Sequence, residues 1–206
     1  MNNFDKAKLI LKGTTSIGVK CVDGVILAAD MRAVNQEFNI VSENVRKVFS
    51  LIDNRVGIAL SGIVGDVQGL VDLMRAELKL YLLENEKISV RGIAQFIGNF
   101  LFRSIRRYPY IVEAIIGGYD DTGYHLYGLD MAGSIIEDNI IAIGEGATLV
   151  FGVLEAVDLS KLKVKEAKKV ALDALKSASK RSAFTGSRIQ MLFLSKSGSH
   201  EEVLEV

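Results

Sequence analysis

The chain has few of the residue types that build several common functional sites. Cys21 is its only cysteine, which excludes a disulfide framework and a cysteine-based metal site. A single cysteine also favours a reducing compartment, so we expect a cytoplasmic protein. His125 and His200 are the only histidines, and a Ser-His-Asp triad would have to use one of them. Without a cysteine cluster or a glycine-rich phosphate-binding motif, we expect neither a metal nor a cofactor.

Long apolar runs and blocks of like charge are also absent. No run approaches the roughly 18 apolar residues of a membrane-spanning helix, so we expect no membrane partner. The 25 basic and 25 acidic residues give a formal net charge of zero. This balance gives no reason to expect binding to nucleic acid or to an anionic membrane. Zero net charge with 49% hydrophobic residues instead fits a chain that buries surface in an oligomer.

The length of 206 residues suits one domain with a sizeable hydrophobic core. We assign residues 14–206 to that domain and treat residues 1–13 as a leader. The leader is too charged, and its apolar stretch too short, for a secretory signal peptide. We predict that it is a propeptide, and a frayed terminus is the alternative.

The hydrophobic pattern predicts strands and helices in alternating blocks. The predicted strands cover residues 14–21, 25–30, 45–51, 56–61, 110–119, 124–130, 134–143 and 188–195, and the predicted helices cover residues 67–82, 93–105, 144–157 and 164–178. Residues 35–44 are predicted to be a loop. Asp66 and Ser89 are predicted to begin the first two helices, and Pro109 to end the second. This order favours an α+β fold with two antiparallel sheets between helix layers.

A threonine directly follows a glycine at the start of the first predicted strand, in the segment from Lys12 to Gly18. This arrangement suggests a chain that cuts itself between Gly13 and Thr14. The freed α-amine would have a reference pKa of about 7.7–8.0, which suits a general base near neutral pH. A threonine hydroxyl activated by its own N-terminal amine is an established nucleophile–base pair. A plain turn that enters a strand is the alternative.

Three polar positions are predicted to lie near Thr14. Asp30 ends the strand that pairs with the Thr14 strand through a tight Asp-Gly turn. Lys47 opens the next strand, and if it points inward it must pair with a carboxylate such as Asp30. The Ser61-Gly62 corner precedes a helix, where backbone N–H groups can bind a developing oxyanion. Each position also has a structural alternative. Asp30 could be a solvated strand end, Lys47 a solvated charge at a sheet edge, and Ser61-Gly62 a turn of small residues.

A series of motifs follows these positions along the chain. They are Gly13-Thr14-Thr15-Ser16-Ile17-Gly18, Asp23-Gly24-Val25-Ile26-Leu27-Ala28-Ala29-Asp30-Met31-Arg32-Ala33, Arg46-Lys47-Val48-Phe49, Ser61-Gly62-Ile63-Val64-Gly65-Asp66, Arg107-Tyr108-Pro109-Tyr110, Gly117-Gly118-Tyr119-Asp120 and Gly152-Val153-Leu154-Glu155. In this order they resemble the β-subunits of the proteasome core particle, those of archaea most. The likeness runs from Gly13 to about Ser195, and the ordered set is far more specific than any one motif.

The resemblance implies the N-terminal nucleophile hydrolase fold, a four-layer αββα sandwich. It implies a threonine endopeptidase that degrades unfolded polypeptides inside a chamber, after autolysis of a propeptide. The implied partners are α-subunits and other β-subunits in stacked seven-membered rings, with a regulatory ATPase at the α-ring.

The resemblance also implies roles for particular residues. Thr14 would be the nucleophile, Asp30 and Lys47 the carboxylate and lysine beside it, and Gly62 the oxyanion donor. The segment between Asp30 and Lys47 is one residue longer than in the common archaeal form, and we align Lys47 rather than its neighbour to the catalytic lysine. The residues that match an apolar pocket for the side chain preceding the cut are Ala33, Leu60 and Val64.

Two supporting positions depart from the family pattern. Glu145 stands where active members carry a serine between two glycines, and Ser182 stands where they carry an aspartate. Thr185 keeps a hydroxyl where they carry a second serine. Glu145 could replace the lost carboxylate, or it could form an inactive ion pair with the Thr14 amine or Lys47. These departures leave two hypotheses open, namely an active threonine endopeptidase and a structural β-ring subunit beside an active one.

Overall fold

A computed structural model describes residues 14–35, 37–52 and 54–206. The predicted propeptide, residues 1–13, therefore lies outside the described residues. The strands are β1 (Thr15–Lys20), β2 (Val25–Asp30), β3 (Ala33–Val34), β4 (Ile40–Ser42), β5 (Val48–Ile52), β6 (Val56–Gly62), β7 (Val112–Asp120), β8 (Gly123–Leu129), β9 (Ile135–Glu137), β10 (Ile140–Gly144), β11 (Arg188–Ser195) and β12 (Gly198–Glu205). The α-helices are α1 (Val64–Glu84), α2 (Val90–Ser104), α3 (Ala147–Leu154) and α4 (Val164–Ser179), with a short 3-10 helix at Leu159–Lys161.

The strands form two five-stranded antiparallel sheets. The first sheet has the order β10-β1-β2-β11-β12, and the second has the order β5-β6-β7-β8-β9. Strands β3 and β4 make a separate two-stranded ribbon. Every recorded strand pair is antiparallel, which confirms the prediction of antiparallel sheets.

Three hydrophobic clusters separate four layers. One lies between the second sheet and helices α1 and α2, one between the first sheet and helices α3 and α4, and one between the two sheets. Representative members are Leu70 and Ile58 in the first cluster, Ala171 and Ile17 in the second, and Leu27 and Ile115 in the third. The predicted four-layer αββα sandwich is therefore confirmed.

Strand β6 shows how the sequence directs side chains into these layers. Successive side chains of a strand point to opposite faces of the sheet. Ile58 and Leu60 accordingly pack toward the helices, while Ala59 between them packs toward the other sheet. Strand β2 is buried at all six positions, as its near-continuous apolar sequence predicts for a strand covered on both faces.

The hairpin of β1 and β2 determines where the candidate site lies. The two strands pair in the register Ser16 opposite Ala29 and Lys20 opposite Val25, which confirms the predicted turn between them. Asp30 at the end of β2 therefore lies beside the start of β1. The outer neighbour of β1 is β10, whose Gly144 pairs with Thr15. The chain around residues 144–146 is thus brought to the same end of the sheet.

Several local predictions were wrong. Residues 134–143 were predicted as one strand, but they form β9 and β10, which belong to different sheets. The Asp138-Asn139 step between them carries the chain from the edge of one sheet to the edge of the other. The predicted loop 35–44 contains β4, which pairs with β3.

The helix ends follow the sequence signals only in part. The Ser89 hydroxyl accepts a hydrogen bond from the Gly92 N–H at 3.0 Å, so the predicted start of α2 is confirmed. Asp66 does not cap α1, because its carboxylate accepts the Ile111 N–H at 2.9 Å, and the residue at the cap position is Ile63. Helix α2 ends at Ser104, well before Pro109, so the proline does not set its end. The third helix is shorter than the predicted span 144–157.

None of the helices in the described ranges is long and apolar enough to span a membrane.

Candidate active site

Thr14 lies immediately before β1 and is almost completely buried, with 1% of its surface exposed. Its carbonyl oxygen accepts the Glu145 N–H at 3.0 Å, which ties the first described residue to the end of β10. Its Oγ1 is buried and has no hydrogen-bond partner among the described residues. Buried hydroxyls are almost always hydrogen-bonded in folded proteins. The Thr14 Oγ1 is therefore an exception to this rule among the described residues.

Asp30 and Lys47 form a buried ion pair next to Thr14. Asp30 is 0% exposed and Lys47 is 3% exposed. The Lys47 Nζ donates to both carboxylate oxygens of Asp30 at 3.2 Å and to the Arg32 carbonyl oxygen at 2.6 Å. Burial lowers the pKa of Lys47 below its usual value, and the attraction of Asp30 acts in the opposite direction. The inward orientation of Lys47 and its pairing with Asp30, which the strand order predicts, are thus present in the structure.

The Asp30 carboxylate also binds the backbone of three separate chain segments. It accepts the Thr15 N–H at 2.8 Å, the Arg32 N–H at 2.8 Å and the Gly186 N–H at 3.0 Å. Hydrogen bonds to a carboxylate are among the strong ones in proteins. The charge of Asp30 therefore holds β1, the segment after β2 and the segment before β11 together around Thr14.

The side chain of Gln190 positions Lys47 from the other side. Gln190 lies in β11 and is 0% exposed. Its Oε1 accepts the N–H groups of Lys47 at 3.0 Å and Val48 at 3.1 Å, and its Nε2 donates to the Val48 carbonyl at 2.8 Å. Sequence reasoning missed this residue; the one available signal was a glutamine within an apolar strand.

Replacing Gln190 with leucine is expected to destabilise the protein by about 2–4 kcal/mol, because buried N–H groups at the start of β5 lose their acceptor. The free energy of unfolding, from chemical denaturation, measures this change. Gln95→Leu is the matched control, since Gln95 is exposed on α2 and its side chain donates to Asn99 one turn further along the same helix. Equal effects of the two substitutions would contradict the role of Gln190.

Glycine is required at two backbone positions that border Thr14. Gly62 ends β6 with a φ of +137°, and a Cβ there would lie 2.1 Å from the Ile111 carbonyl oxygen. Gly144 has a φ of +87°, and a Cβ there would lie 2.3 Å from the Thr14 carbonyl oxygen. Gly62 directly precedes the cap residue of α1, where a helix N-terminus favours negative charge. Its role as oxyanion donor stays a prediction.

Glu145, Ser182 and Thr185, the residues at supporting positions where the sequence differs from the family pattern, have different surroundings. The Thr185 hydroxyl is buried and lies 2.7 Å from the Thr15 hydroxyl. The Ser182 hydroxyl accepts the Phe184 N–H at 3.2 Å, so it stabilises its own turn. Glu145 is exposed, and the carboxylate that pairs with Lys47 in the described structure is that of Asp30. The suggested Glu145–Lys47 ion pair is therefore wrong.

A pocket of about 590 Å³ opens beside Thr14. It is lined by Thr14, Ser61, Gly62, Ile63, Ile111, Val112, Glu113, Asp130, Met131, Gly144 and Glu145. The pocket thus joins the nucleophile candidate, the oxyanion candidate and three carboxylates that β7, β8 and β10 bring together from distant parts of the chain.

The structure does not bring the predicted substrate residues to this pocket. Leu60 is fully buried in the cluster between the second sheet and the helices, and Ala33 is fully buried in β3. Val64 is half-buried at the first position of α1. Their role in an apolar pocket for the side chain preceding the cut stays a prediction.

Comparison with known proteins agrees with this arrangement. A model of the proteasome subunit family matches residues 10–194. The chain belongs to the proteasome subunit family. It is 42% identical over 188 residues to a protein from Methanosarcina mazei named proteasome subunit beta, covering 90% of this chain and 88% of the relative. It is 39% identical over 198 residues to a protein of the same name from Methanopyrus kandleri, covering 95% and 93%. A protein named proteasome subunit beta 1 from Thermococcus onnurineus is 43% identical over 192 residues, with 93% of each chain covered.

Membership of the proteasome subunit family confirms the resemblance to β-subunits and the N-terminal nucleophile hydrolase fold. It places the chain in a family of proteases that assemble with other proteasome subunits. The matched region, residues 10–194, includes every residue for which a catalytic, binding or cleavage role is predicted, from Gly13 to Thr185. The individual roles of those residues stay predictions.

Proposed function

We propose that this chain is a catalytic β-subunit of the proteasome core particle, a threonine endopeptidase whose nucleophile is Thr14. The observation that carries this proposal is the buried, unpartnered Oγ1 of Thr14 beside the Asp30–Lys47 ion pair. A structural hydroxyl at this depth would be expected to have a partner. A nucleophile must instead keep its oxygen available for the substrate.

The first step proposed is removal of the leader. The Thr14 Oγ1 attacks the Gly13 carbonyl carbon, the peptide C–N bond breaks, and the hydroxyl proton passes to the departing nitrogen. The product is an ester between Gly13 and the Thr14 side chain, together with a free Thr14 amine. Water then hydrolyses the ester, which releases residues 1–13 with a carboxylate and restores the hydroxyl.

The same hydroxyl then cleaves substrate peptides. The freed amine accepts the Oγ1 proton while the oxygen attacks the substrate carbonyl, and the Gly62 N–H stabilises the oxyanion that forms. The amine returns the proton to the leaving nitrogen, and water hydrolyses the acyl ester. The positive charge of Lys47 favours the ionised form of the hydroxyl, and Asp30 holds Lys47 in place.

Membership of the family supports the partners that we propose, and the cytoplasmic location is proposed with them. The chain would stack in seven-membered β-rings between α-rings, in the cytoplasm, with a regulatory ATPase at the α-ring. Unfolded polypeptides would be the substrates.

The mass of this chain in assembled particles tests the proposal. We expect a mass that lacks residues 1–13, because exposure of the Thr14 amine is required for activity. A full-length mass in mature particles would contradict the proposal, since the amine would then remain blocked in a peptide bond.

A structural β-ring subunit is the second candidate function. The observation that favours it is the Ser182 hydroxyl, which is engaged with the Phe184 N–H in place of the carboxylate that active relatives are expected to carry. Removal of groups that orient catalytic residues commonly lowers activity without changing the fold.

Combining Ser182→Asp with Glu145→Ser separates the two candidates. If these positions limit activity, the double variant is expected to raise kcat/KM at least about tenfold, which corresponds to roughly 1.4 kcal/mol of barrier. The measurement compares peptide hydrolysis by assembled, processed particles of both forms. An unchanged rate would show that these two positions do not limit activity.

A further inference from the structure

A second ion pair, between Arg32 and Glu43, lies behind the pair formed by Asp30 and Lys47. Arg32 lies between β2 and β3, and Glu43 directly follows β4. The Arg32 Nε donates to the Glu43 Oε1 at 2.9 Å. The two side chains are 18% and 34% exposed, so water screens this pair less than a fully exposed one. The steps proposed above for Thr14 give it no role.

The backbone of Arg32 is bound to both members of the buried pair. Its N–H donates to the Asp30 Oδ2 at 2.8 Å, and its carbonyl oxygen accepts the Lys47 Nζ at 2.6 Å. A shift of this one residue would therefore lengthen a hydrogen bond to Asp30 and another to Lys47. Because Glu43 binds the Arg32 side chain, it restrains the residue on which both of these hydrogen bonds depend.

The same ion pair packs against the segment that leads into β11. The Arg32 Nη1 donates to the Ala183 carbonyl oxygen at 3.1 Å. A Cβ at Gly186 would lie 2.7 Å from the Glu43 Oε2 and 2.8 Å from the Arg32 Cβ, so glycine at this position makes the close approach possible. The Gly186 N–H in turn donates to Asp30. Arg32 and Glu43 thus hold the segment that supplies one of the three backbone donors to Asp30.

The charge of Glu43 also acts on Lys47. The Glu43 Oε2 is buried and has no hydrogen-bond partner among the described residues, so this oxygen keeps charge that no donor compensates there. Burial lowers the pKa of Lys47, and the attractions of Asp30 and Glu43 raise it. The repulsion by Arg32 lowers it by less than the attraction of Glu43 raises it. The second ion pair therefore favours the protonated form of Lys47.

We propose that Glu43 is a positioning residue for the reaction at Thr14, which acts through Arg32 to hold Lys47 and residues 183–186 in place. Glu43 is not among the described residues that line the pocket beside Thr14, so it acts on the reaction through other groups. This inference rests on the proposed function, because Lys47 belongs to the site of the same nucleophile.

Peptide hydrolysis by processed, assembled particles that carry Glu43→Gln tests the inference. Glutamine keeps an oxygen that can accept the Arg32 Nε–H, so the substitution removes the charge and retains an acceptor. We expect kcat to fall about tenfold, as is common when a group that orients catalytic residues is lost. We expect KM to change little, because the pocket itself is not altered.

The dependence of kcat on pH distinguishes a charge effect from a loss of stability. If Lys47 must keep its proton, the rate falls as the pH rises through the pKa of Lys47. Glu43→Gln removes one attraction that raises this pKa, so the fall should begin at a lower pH than in the wild type. The charged groups of Asp30, Arg32 and the freed Thr14 amine also act on Lys47, but they are the same in both proteins.

Two further variants control the kinetic test. Glu43→Asp keeps the carboxylate and should keep the wild-type pH dependence, even if its shorter side chain lowers kcat. Glu37→Gln is the matched control, because Glu37 is exposed on the loop between β3 and β4 and its Oε2 accepts the Asn39 Nδ2–H at 3.2 Å. It should leave both kcat and its pH dependence unchanged.

Hydrogen–deuterium exchange in Arg32→Met particles tests the same contacts without relying on activity. Ala183 loses its guanidinium donor in this variant, so the Gly186 N–H should exchange at least about tenfold faster, as the loss of one charge-assisted hydrogen bond allows. Glu37→Gln should show the wild-type exchange rate. This measurement keeps the inference testable if Glu43→Gln particles do not assemble.

The outcomes separate this inference from the proposed function. Wild-type particles that cleave peptides, together with Glu43→Gln particles of unchanged kcat and pH dependence, would overturn the inference alone. Exchange at Gly186 that does not change in Arg32→Met would also overturn it. Failure of processed, assembled wild-type particles to cleave any peptide would overturn the proposed function, and the inference with it.

Discussion

Replacing Thr14 with alanine is expected to abolish both removal of the leader and cleavage of peptides. The substitution removes the one atom proposed to attack the carbonyl carbon, so the rate should fall at least about 10³-fold, to the background of the assay. The Thr14 Oγ1 has no hydrogen bond to the described residues, so its removal breaks none of the bonds around Asp30. The loss of activity should therefore occur in a folded, assembled particle. Intact mass and peptide hydrolysis together measure the two effects.

The neighbouring threonine provides the matched control. Thr15 is equally buried, but its hydroxyl is engaged with that of Thr185 at 2.7 Å. Thr15→Val should lower stability moderately and still allow the leader to be removed. Thr14→Ser, which keeps a hydroxyl, should retain measurable activity. Leader removal that proceeds at the wild-type rate in a ring composed only of the Thr14→Ala chain would show that another residue performs the cut.

Replacing Lys47 with methionine is expected to lower kcat/KM at least about 100-fold, because the buried positive charge beside the nucleophile is lost. Breaking a buried ion pair costs about 3–5 kcal/mol when the remaining charge is uncompensated. Asp30 keeps three backbone N–H donors, so we expect the cost of Lys47→Met to lie at or below the lower end of that range. Thermal denaturation and peptide hydrolysis measure the two quantities.

Replacing Asp30, the other member of the ion pair, should destabilise the fold more than replacing Lys47. Asp30→Ala leaves the Lys47 ammonium and three backbone N–H groups without their acceptor, so it should destabilise the protein more than Lys47→Met does. Lys161→Met is the matched control for loss of a lysine from an ion pair, because Lys161 is exposed and bonds to Asp158 on the surface. Lys161→Met should change both the thermal stability and the rate of peptide hydrolysis little. If Lys47→Met were as mild as this control in both measurements, the buried pair would have no catalytic role.

The core of the site could be predicted because it depends on short-range rules. A tight turn after β1 forces Asp30 back beside Thr14, and a lysine that enters a buried strand needs the nearest carboxylate. The four-layer fold follows from the order of the strand and helix patterns. The position of Asp30 needs only the spacing of residues within one hairpin, whereas the pairing of Lys47 rests on the rule that a buried lysine needs a carboxylate.

The rest depends on pairings between distant segments, which local patterns do not specify. Gln190 reaches Lys47 only because β11 lies beside β2 in the first sheet. Glu113 accepts the Gly144 N–H because the chain passes from β9 in the second sheet to β10 at the edge of the first, a step that the sequence pattern left inside one strand. Asp66 was mistaken for a helix cap because its partner, the Ile111 N–H, is supplied by a separate segment.

The backbone donors that meet at Asp30 also constrain when the proposed nucleophile, Thr14, can become competent. The Gly186 N–H comes from a position 156 residues farther along the chain than Asp30. The Lys47 N–H bonds to the side chain of Gln190, which lies 143 residues after Lys47. A partly synthesised chain that ends before this region lacks both contacts. The hydrogen bonds that hold Asp30 and Lys47 are therefore completed only after nearly the whole polypeptide has left the ribosome and folded. If Thr14 is the nucleophile, as proposed, the order of synthesis delays its reaction until these surroundings have formed.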